Sequence, residues 1–309
     1  MSTVVIAQAY GKPTDALTVT DVEPPHPGPG QVQVATTAIG TNPIDFKRIS
    51  GAMGADESAL PLKVGNEAAG VVSAVGDGVD DVAVGDRVVV YPADGTYAQE
   101  LVVDRSSVHA LPDELDDQHA AGLLLVGVTA TDLVETLGVG SSDVLLVHGG
   151  AGAVGTIAIQ LAVAKGAQVI ATASPRNHDF IRSIGAVPVA YGDGLLDRVI
   201  AATDAPVTLV ADTVGTDEAI DVSLQLVDDP AKIASIAAFG RADDGIALLT
   251  GGTPDGRARR RAAAEPLIAA AASGELITEV DETFPLTEAG KALERLAGAH
   301  GRGKILLVP

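Results

Sequence analysis

Three glycines that follow an apolar segment have the clearest chemical signature in this chain. Gly150, Gly152 and Gly155 have the spacing G-x-G-x-x-G; the residues before them favour a strand, and those after them have helical spacing. Glycines at this spacing allow a tight turn and a close backbone approach, and the free amides of the first helical turn then face a pyrophosphate. The spacing therefore predicts a dinucleotide site; the alternative is a glycine-rich turn that binds no ligand.

The residues after the next predicted strand indicate which dinucleotide binds. Sites for NAD usually carry an acidic residue about 20 positions beyond the glycines, where it holds the 2′-hydroxyl of the ribose. Here Ser174 occupies that position, and Arg176 follows it. An acid would repel a 2′-phosphate, whereas a guanidinium can bind one through its fork of donors. The pair favours NADPH; alternatively, Arg176 is only a solvated charge at the start of a helix.

The composition argues against thiol chemistry and against a histidine–cysteine metal site. The chain has no cysteine, which excludes disulfides, a thiol nucleophile and zinc sites of the cysteine type. Six histidines lie at positions 26, 109, 119, 148, 178 and 300, without the paired spacing of metal ligands. His148 ends the strand before the glycines and is expected to be a packed strand residue.

The charge of the chain limits its partners. Its formal net charge is −21, from 41 acidic and 20 basic residues. Nucleic acid and anionic membranes attract positive surfaces, so we expect neither as a partner. The segment after Met1 passes directly into a strand-like run, and no apolar run reaches the roughly 18 residues of a membrane span. We therefore expect a soluble cytoplasmic protein.

Hydrophobic periodicity divides the chain into two types of structure. The first third alternates like an antiparallel β domain, with strands expected at 4–10, 17–23, 31–38, 70–75, 86–90 and 96–103. Helical spacing follows at 113–127 and 129–137. The last residues return to strand 276–284, helix 287–296 and strand 304–308, which could complete the first domain.

Strands and helices alternate between these two parts. Strands are expected at 143–148, 168–173, 187–190, 206–211, 231–237 and 246–250, and helices at 153–165, 177–184, 194–202, 217–226 and 257–273. Such alternation predicts an α/β domain whose parallel sheet is covered by helices on both faces. The ligand crevice of such a sheet lies at the carboxyl ends of its strands.

Several motifs, in this order along the chain, together resemble one family. They are Pro24–Gly30, Asn42–Asp45, Gly65–Gly70, Val84–Val88, Gly127–Ala130, the glycine turn and Gly303–Leu307. Through them the whole chain resembles the medium-chain dehydrogenase/reductase superfamily, in its zinc-free, quinone-oxidoreductase (zeta-crystallin-like) branch. The resemblance implies a GroES-like β domain, formed by 1–122 and 253–309, and a doubly wound Rossmann domain at 123–252. It also implies a homodimer.

The resemblance assigns roles to individual residues. It implies that Asn42 and Thr129 lie near the nicotinamide ring, and that Gly152, Ala153 and Val154 lie under the pyrophosphate. The 2′-phosphate would meet Ser174 and Arg176. Three further cofactor contacts are implied for Tyr191 at the adenosine end, Phe239 at the nicotinamide side, and Lys304 as a phosphate or loop-closing contact. Alternatively, Asn42 only initiates a turn, and the two aromatic residues only pack.

The positions that hold catalytic zinc in related enzymes differ in this chain. Asn42, Asn66 and Leu125 stand where the zinc-dependent members carry their ligands. Amides and leucine cannot supply the thiolate and imidazole that zinc selects. The sequence therefore predicts an enzyme without catalytic zinc.

Without a Lewis acid, an activated acceptor is the more feasible substrate. Hydride from nicotinamide C4 can add to a conjugated carbon while hydrogen-bond donors stabilise the carbonyl oxygen. The family reduces quinones or α,β-unsaturated carbonyls in this way. Members often carry a tyrosine shortly after the Asn-Pro motif, but this chain has Lys47 there. Lys47 and Tyr97 are the candidate catalytic donors beside Asn42; Lys47 could instead be solvated, and Tyr97 could instead lie in the core.

Two other functions remain open on the sequence. One is a non-catalytic NADPH-binding protein with a structural or redox-sensing role. The other is an alcohol dehydrogenase with a degenerate zinc site.

Overall fold

A computed structural model of the protein describes residues 1–298 and 301–309, so His300 lies outside the described residues. The strands are Ser2–Ala7 (β1), Leu17–Val22 (β2), Gln31–Gly40 (β3), Leu62–Lys63 (β4), Glu67–Val75 (β5), Arg87–Val90 (β6), Glu100–Asp104 (β7), Val108–Ala110 (β8), Val144–His148 (β9), Gln168–Thr172 (β10), Val187–Val189 (β11), Leu209–Asp212 (β12), Ile233–Ser235 (β13), Ala247–Leu248 (β14), Val280–Pro285 (β15) and Lys304–Val308 (β16). The α-helices are Pro13–Ala16 (α1), Pro43–Ile49 (α2), Asp117–Ala121 (α3), Leu124–Leu137 (α4), Ala153–Ala164 (α5), His178–Ser183 (α6), Leu195–Ala201 (α7), Asp217–Leu226 (α8), Pro254–Ser273 (α9) and Ala289–Ala297 (α10).

These elements form two compact units, each with its own core. The first contains Met1–Leu125 and Ile268–Pro309, and the second contains Val126–Leu267. The sequence-based boundaries, at 122/123 and 252/253, stay a prediction. Helix α9 begins in the second unit and ends in the first.

The first unit is built mainly from antiparallel strands. Strands β3, β5, β6, β7 and β8 pair antiparallel, and β16 returns from the end of the chain to pair with β3. A smaller sheet has the order β2-β1-β4. The C-terminal strand thus completes the first sheet, and its buried residues, with those of α10, share one core with β1 and α2.

The second unit is a six-stranded parallel sheet of order β11-β10-β9-β12-β13-β14. Every residue of β9 is buried, as expected for a central strand of a parallel sheet that is covered on both faces. The order reverses beside β9, and the ligand crevice of a doubly wound sheet lies at this switch point. The predicted α/β class, with a doubly wound parallel sheet in the second unit, is confirmed.

Two predicted elements differ from the structure. Helical structure was expected at 113–127 and 129–137, but the two helices are α3 and α4, which are divided near Gly122. Helix α4 passes through Gly127 without a break. A Cβ at Gly127 would lie 2.8 Å from Cδ1 of Leu267, so this glycine permits close packing on α9 and ends no helix. The predicted turn at 11–13 is followed by α1, where Pro13 takes a first-turn position that suits proline.

No helix in the described part of the chain has both the length and the hydropathy that a membrane span requires.

Candidate functional site

The glycine turn connects β9 to α5 at the carboxyl end of the parallel sheet. Gly149 has φ of +79°, a conformation that favours glycine, and its amide donates to Oγ1 of Thr172 at 3.0 Å. A Cβ at Gly155 would lie 2.2 Å from the carbonyl oxygen of Gly149, and one at Gly150 would lie 2.7 Å from Cβ of Ala171. Gly150 and Gly155 therefore let the helix and the neighbouring strand approach the turn.

Gly152 has a different environment. It is exposed, it precedes α5, and a Cβ there would meet only the carbonyl oxygen of Gly149, at 3.3 Å. The first hydrogen bond of the helix runs from the amide of Thr156 to the carbonyl of Gly152, at 2.8 Å. The amides of Ala153, Val154 and Gly155 precede that bond, and Gly152 has no side chain to cap them, so an anion can accept from them.

The next strand, β10, ends at the predicted phosphate-binding pair. Ser174 is half-buried, and its Oγ accepts a hydrogen bond from Nδ2 of Asn177 at 3.3 Å. Arg176 is exposed in the short 3-10 helix Pro175–Asn177. A hydroxyl and a guanidinium thus follow the strand next to β9.

Apolar side chains are exposed in loops after other strands of the same sheet. Tyr191, after β11, is 61% exposed, and Phe239, after β13, is 45% exposed. Val214, which follows β12, is also 45% exposed and was not anticipated from the sequence. Their exposure leaves apolar surface available to a flat, partly apolar ligand; the cofactor contacts of Tyr191 and Phe239 stay predictions. Thr129 is buried within α4 of this unit.

The first unit contains a buried charged cluster around Asn42. We call Asn42, Asp45, Glu67 and Lys304 the charged cluster. The Asn42 side chain is 0% exposed; its Oδ1 accepts from Nζ of Lys304 at 2.6 Å, and its Nδ2 donates to Oε1 of Glu67 at 3.0 Å. These two bonds fix the orientation of the Asn42 amide. Besides preceding α2, Asn42 therefore connects Lys304 to Glu67.

Lys304 is fully occupied by this arrangement. Its ammonium donates to the carbonyl of Thr41 at 2.8 Å, to Asn42, and to Glu67 at 3.0 Å, which uses its three protons. The side chain is only 6% exposed. These three bonds leave no ammonium proton for a phosphate in this structure. The phosphate contact and the loop-closing role of Lys304 stay predictions.

Asp45 connects Asn42 to two further side chains. Its Oδ2 accepts from the amide of Asn42 at 2.9 Å and from the hydroxyl of Tyr97 at 3.0 Å, and its Oδ1 accepts from Nδ2 of Asn66 at 2.6 Å. Burial raises the pKa of Asp45 to about 6, although these hydrogen bonds and the charge of Lys304 lower it. Two of the positions that correspond to zinc ligands, Asn42 and Asn66, are thus bound by one carboxyl group.

Leu125 stands at the third position that corresponds to a zinc ligand, and it is bound by the carboxylate of Glu67. The amide of Leu125 donates to Oε2 of Glu67 at 2.8 Å, while Oε1 of Glu67 accepts from Asn42. Among the residues that the structure describes, no group of three or more His, Asp or Glu side chains could hold a metal ion.

The two candidate donors beside Asn42 have different environments. Tyr97 is 1% exposed, its hydroxyl is bonded to Asp45, and burial raises its pKa well above the usual range. It belongs to the core of the first unit, as the alternative expected, and its role as a proton donor stays a prediction. Lys47 is half-buried near the end of α2 and remains a candidate.

Sequence reasoning missed several polar residues that these sites need. They are Thr41, Asp45, Asn66 as a partner of Asp45, Glu67, Thr172, Asp212, Ser223 and Ser235. One signal was available: His148, Thr172, Asp212 and Ser235 are each the last residue of a buried strand. Polar residues in that position of an α/β sheet point to its ligand-binding edge.

Comparisons with known proteins agree with this architecture. Residues 28–113 match the family model "Alcohol dehydrogenase GroES-like domain", and residues 153–251 match "Zinc-binding dehydrogenase". A quinone oxidoreductase from Pseudomonas aeruginosa is 32% identical over 97% of this chain and 98% of its own length. A 2-haloacrylate reductase from a Burkholderia species is 33% identical over 92% of both chains.

A solved structure extends the similarity to three dimensions. The crystal structure of Escherichia coli quinone oxidoreductase complexed with NADPH is 29% identical, covers 99% of this chain and 100% of its own, and has a TM-score of 0.87. The resemblance predicted from the motifs is confirmed. The chain belongs to the medium-chain dehydrogenase/reductase superfamily, in its quinone oxidoreductase branch.

Proposed function

We propose that this protein is an NADPH-dependent, zinc-independent reductase that transfers hydride to quinones or α,β-unsaturated carbonyls. The observation that carries the proposal is the glycine turn, with three amides available at the start of α5 and with Ser174 and Arg176 after the adjacent strand. The relatives named as quinone oxidoreductase and 2-haloacrylate reductase support this chemistry.

The residues present fit NADPH. The amides of Ala153, Val154 and Gly155 would donate hydrogen bonds to the pyrophosphate, and the exposed face of Gly152 leaves room for it. Ser174 and Arg176 would hold the 2′-phosphate, and no acidic side chain stands between them to repel it. Tyr191, Phe239 and Val214 offer exposed apolar surface in loops at the same edge of the sheet. The Escherichia coli relative, which was solved with NADPH, supports this assignment.

The chemistry of the side chains supports a reaction without zinc. Asn42 and Asn66 are amides whose orientation is fixed by buried carboxylates, and Leu125 contributes only its backbone amide. These groups lack the thiolate and imidazole that a catalytic zinc requires. Carbonyl polarisation by hydrogen-bond donors suffices for an acceptor that is already conjugated.

The substrate side is assigned only by class. When bound, NADPH supplies the hydride, which reduces a conjugated carbon or a quinone by two electrons while a proton completes the product. From the family resemblance we propose that Asn42 positions the nicotinamide ring or the substrate. Lys47, with its ammonium, is the proposed donor to the carbonyl oxygen, and solvent water can supply the proton.

A panel of acceptors tests the proposal. Purified protein treated with a chelator is mixed with NADPH and a series of quinones and enones, and the loss of nicotinamide absorbance is followed. We expect turnover with at least one class, at the same rate before and after chelation. NADPH binding without turnover across the panel would instead favour the non-catalytic alternative.

Metal analysis of the same preparation separates the remaining alternative. Stoichiometric zinc, together with loss of activity on chelation, would favour an alcohol dehydrogenase with an altered metal site.

A further inference from the structure

Four neighbouring strands of the parallel sheet end in buried polar residues at one level. These are Thr172 in β10, His148 in β9, Asp212 in β12 and Ser235 in β13. Asp212 is in register with both His148 and Ser235, and Thr172 lies next to His148 on the other side. We call these four residues the polar row. It runs across the sheet directly below the loops at its carboxyl edge.

The hydrogen bonds of His148 require a proton on Nε2 of its ring. Oγ of Ser223 donates to the carbonyl of Ala219 at 2.5 Å, so at the 3.1 Å contact with Nε2 of His148 the serine must accept. Nε2 therefore carries the proton, and Nδ1 is free to accept from the hydroxyl of Thr172 at 3.5 Å. Burial lowers the pKa of His148 to about 4, which keeps the ring neutral at physiological pH.

Thr172 connects this ring to the glycine turn. Its Oγ1 accepts from the amide of Gly149 at 3.0 Å, and its proton is directed to Nδ1 of His148. The carbonyl of His148 also accepts from Oγ1 of Thr213 at 2.7 Å. A chain of hydrogen bonds thus runs from Gly149 through Thr172 and His148 to Ser223 on α8.

The other half of the polar row holds two loops. Asp212 accepts from the amides of Val214 and Gly215 at 3.1 and 3.0 Å, and from Oγ of Ser235 at 2.5 Å. Oγ of Ser235 in turn accepts from the amides of Ala237 and Ala238 at 3.1 and 2.9 Å. The loops fixed in this way carry the exposed Val214 and lead to the exposed Phe239.

We propose that the polar row positions the dinucleotide-binding loops, with His148, neutral and protonated at Nε2, and Thr172 acting as positioning residues for the glycine turn. The inference rests on the proposed dinucleotide site. Its physical reason is preorganisation: polar groups that are buried and fully hydrogen-bonded hold a loop in one geometry, so less entropy is lost when a ligand binds. Apolar residues would fill the same strand ends without fixing these amides.

The experiment compares cofactor affinity with turnover in matched variants. Thr172→Val removes the hydroxyl, Thr172→Ser keeps it, and His148→Leu removes the ring. The control is Thr208→Val, the same substitution at the opposite end of the sheet, where the hydroxyl bonds Asp143 at 2.9 Å. For Thr172→Val and His148→Leu we expect the Kd for NADPH to rise about tenfold, the effect of losing one net hydrogen bond, while kcat at saturating NADPH is retained. Thr172→Ser and Thr208→Val should bind within about twofold of the wild type.

A spectroscopic measurement on the wild type without cofactor tests the positioning directly. Ring nitrogen and carbon shifts should report His148 as the neutral Nε2–H tautomer, and the Gly149 amide resonance should move in Thr172→Val but not in Thr172→Ser. A protonated or Nδ1–H ring would overturn the inference. Unchanged Kd values in Thr172→Val and His148→Leu would overturn it while the proposed function stands, and a wild type that binds neither NADPH nor NADH would overturn both.

Discussion

The two units of this protein stabilise buried polar groups in opposite ways. The charged cluster of the first unit pairs an ammonium with two carboxyl groups and an amide, all nearly inaccessible to water. The polar row of the second unit contains one carboxylate, held by amides and a hydroxyl, beside a neutral imidazole. One network is balanced by opposite charge and the other by hydrogen-bond donors.

This difference determines how each network responds to change. A buried ion is costly when its partner is removed, because the remaining charge has lost both water and its counter-ion. In the polar row, replacing His148 or Thr172 leaves no charge without a counter-ion and removes only hydrogen bonds, each worth about 1 kcal/mol net. The first unit should therefore be sensitive in folding, and the second mainly in ligand affinity.

The largest expected effect follows from removing the cation. Lys304→Met leaves Glu67 buried without its partner, which should destabilise the protein by about 3–5 kcal/mol in urea unfolding. The double variant with Glu67→Gln should recover a large part of that loss. Lys291→Met, which removes an exposed partner of Glu288, is the control and should cost at most about 0.5 kcal/mol. A small effect of Lys304→Met would remove the contrast between the two networks.

The second effect is a pH dependence of opposite sign in the two units. Asp45 titrates at about 6 when folded, against 3.8 ordinarily, so the folded state binds more protons and its contribution to stability is lost as pH rises from about 4 to 6. His148 titrates at about 4 when folded, against 6.5 ordinarily, so its contribution is present above 6.5 and is lost as pH falls toward 4. In the wild type the two slopes offset each other.

Single substitutions should reveal each slope. In Asp45→Asn, the unfolding free energy should rise more steeply with pH between 4 and 6 than in the wild type. In His148→Gln, the unfolding free energy should instead fall as pH rises over the same range. Each change approaches about 1.4 kcal/mol per pH unit at most, measured as unfolding free energy at several pH values. Parallel pH profiles in the wild type and both variants would contradict the buried titrations.

Two glycines of the turn separate folding from binding. Gly155→Ala forces a Cβ to 2.2 Å from a backbone oxygen and should cost about 1–3 kcal/mol of stability. Gly152→Ala makes only a 3.3 Å contact, which a small shift relieves, and should keep the melting temperature while weakening NADPH binding. Calorimetric melting and fluorescence titration of both variants make the comparison. Unchanged NADPH binding in Gly152→Ala, or a loss of stability equal to that of Gly155→Ala, would contradict this separation.

The last comparison concerns cofactor choice. Arg176→Ala should raise the Kd for NADPH about 10-fold to 100-fold and leave that for NADH nearly unchanged, because only NADPH carries the 2′-phosphate. Arg182→Ala, an exposed arginine on the following helix that pairs with Asp179, is the control and should change neither. The 2′-phosphate role fails if Arg176→Ala weakens both cofactors equally.

The features that could be predicted from the sequence are those that short stretches of sequence determine. The glycine spacing and the Ser174–Arg176 pair are short motifs, and alternating strand and helix periodicity is enough to predict the parallel sheet. The C-terminal return to the first domain was also predicted, and β16 pairs with β3.

The polar networks could not be predicted in this way. Glu67 and Lys304 are 237 positions apart, and nothing in their local sequence indicates that they meet. Tyr97 has the chemistry of a proton donor, but its burial against Asp45 depends on tertiary packing. The predicted homodimer and the identity of the acceptor stay predictions, because surface shape and loop geometry decide both.

Isotope transfer tests the central claim most directly. Chelator-treated protein is incubated with NADPH deuterated at the reactive C4 position and an α,β-unsaturated ketone, and the product is analysed by NMR and mass spectrometry. The account predicts deuterium on the β-carbon and solvent hydrogen on the α-carbon, at a rate that chelation does not change. Product without deuterium at the β-carbon, or turnover that requires added zinc, would contradict it.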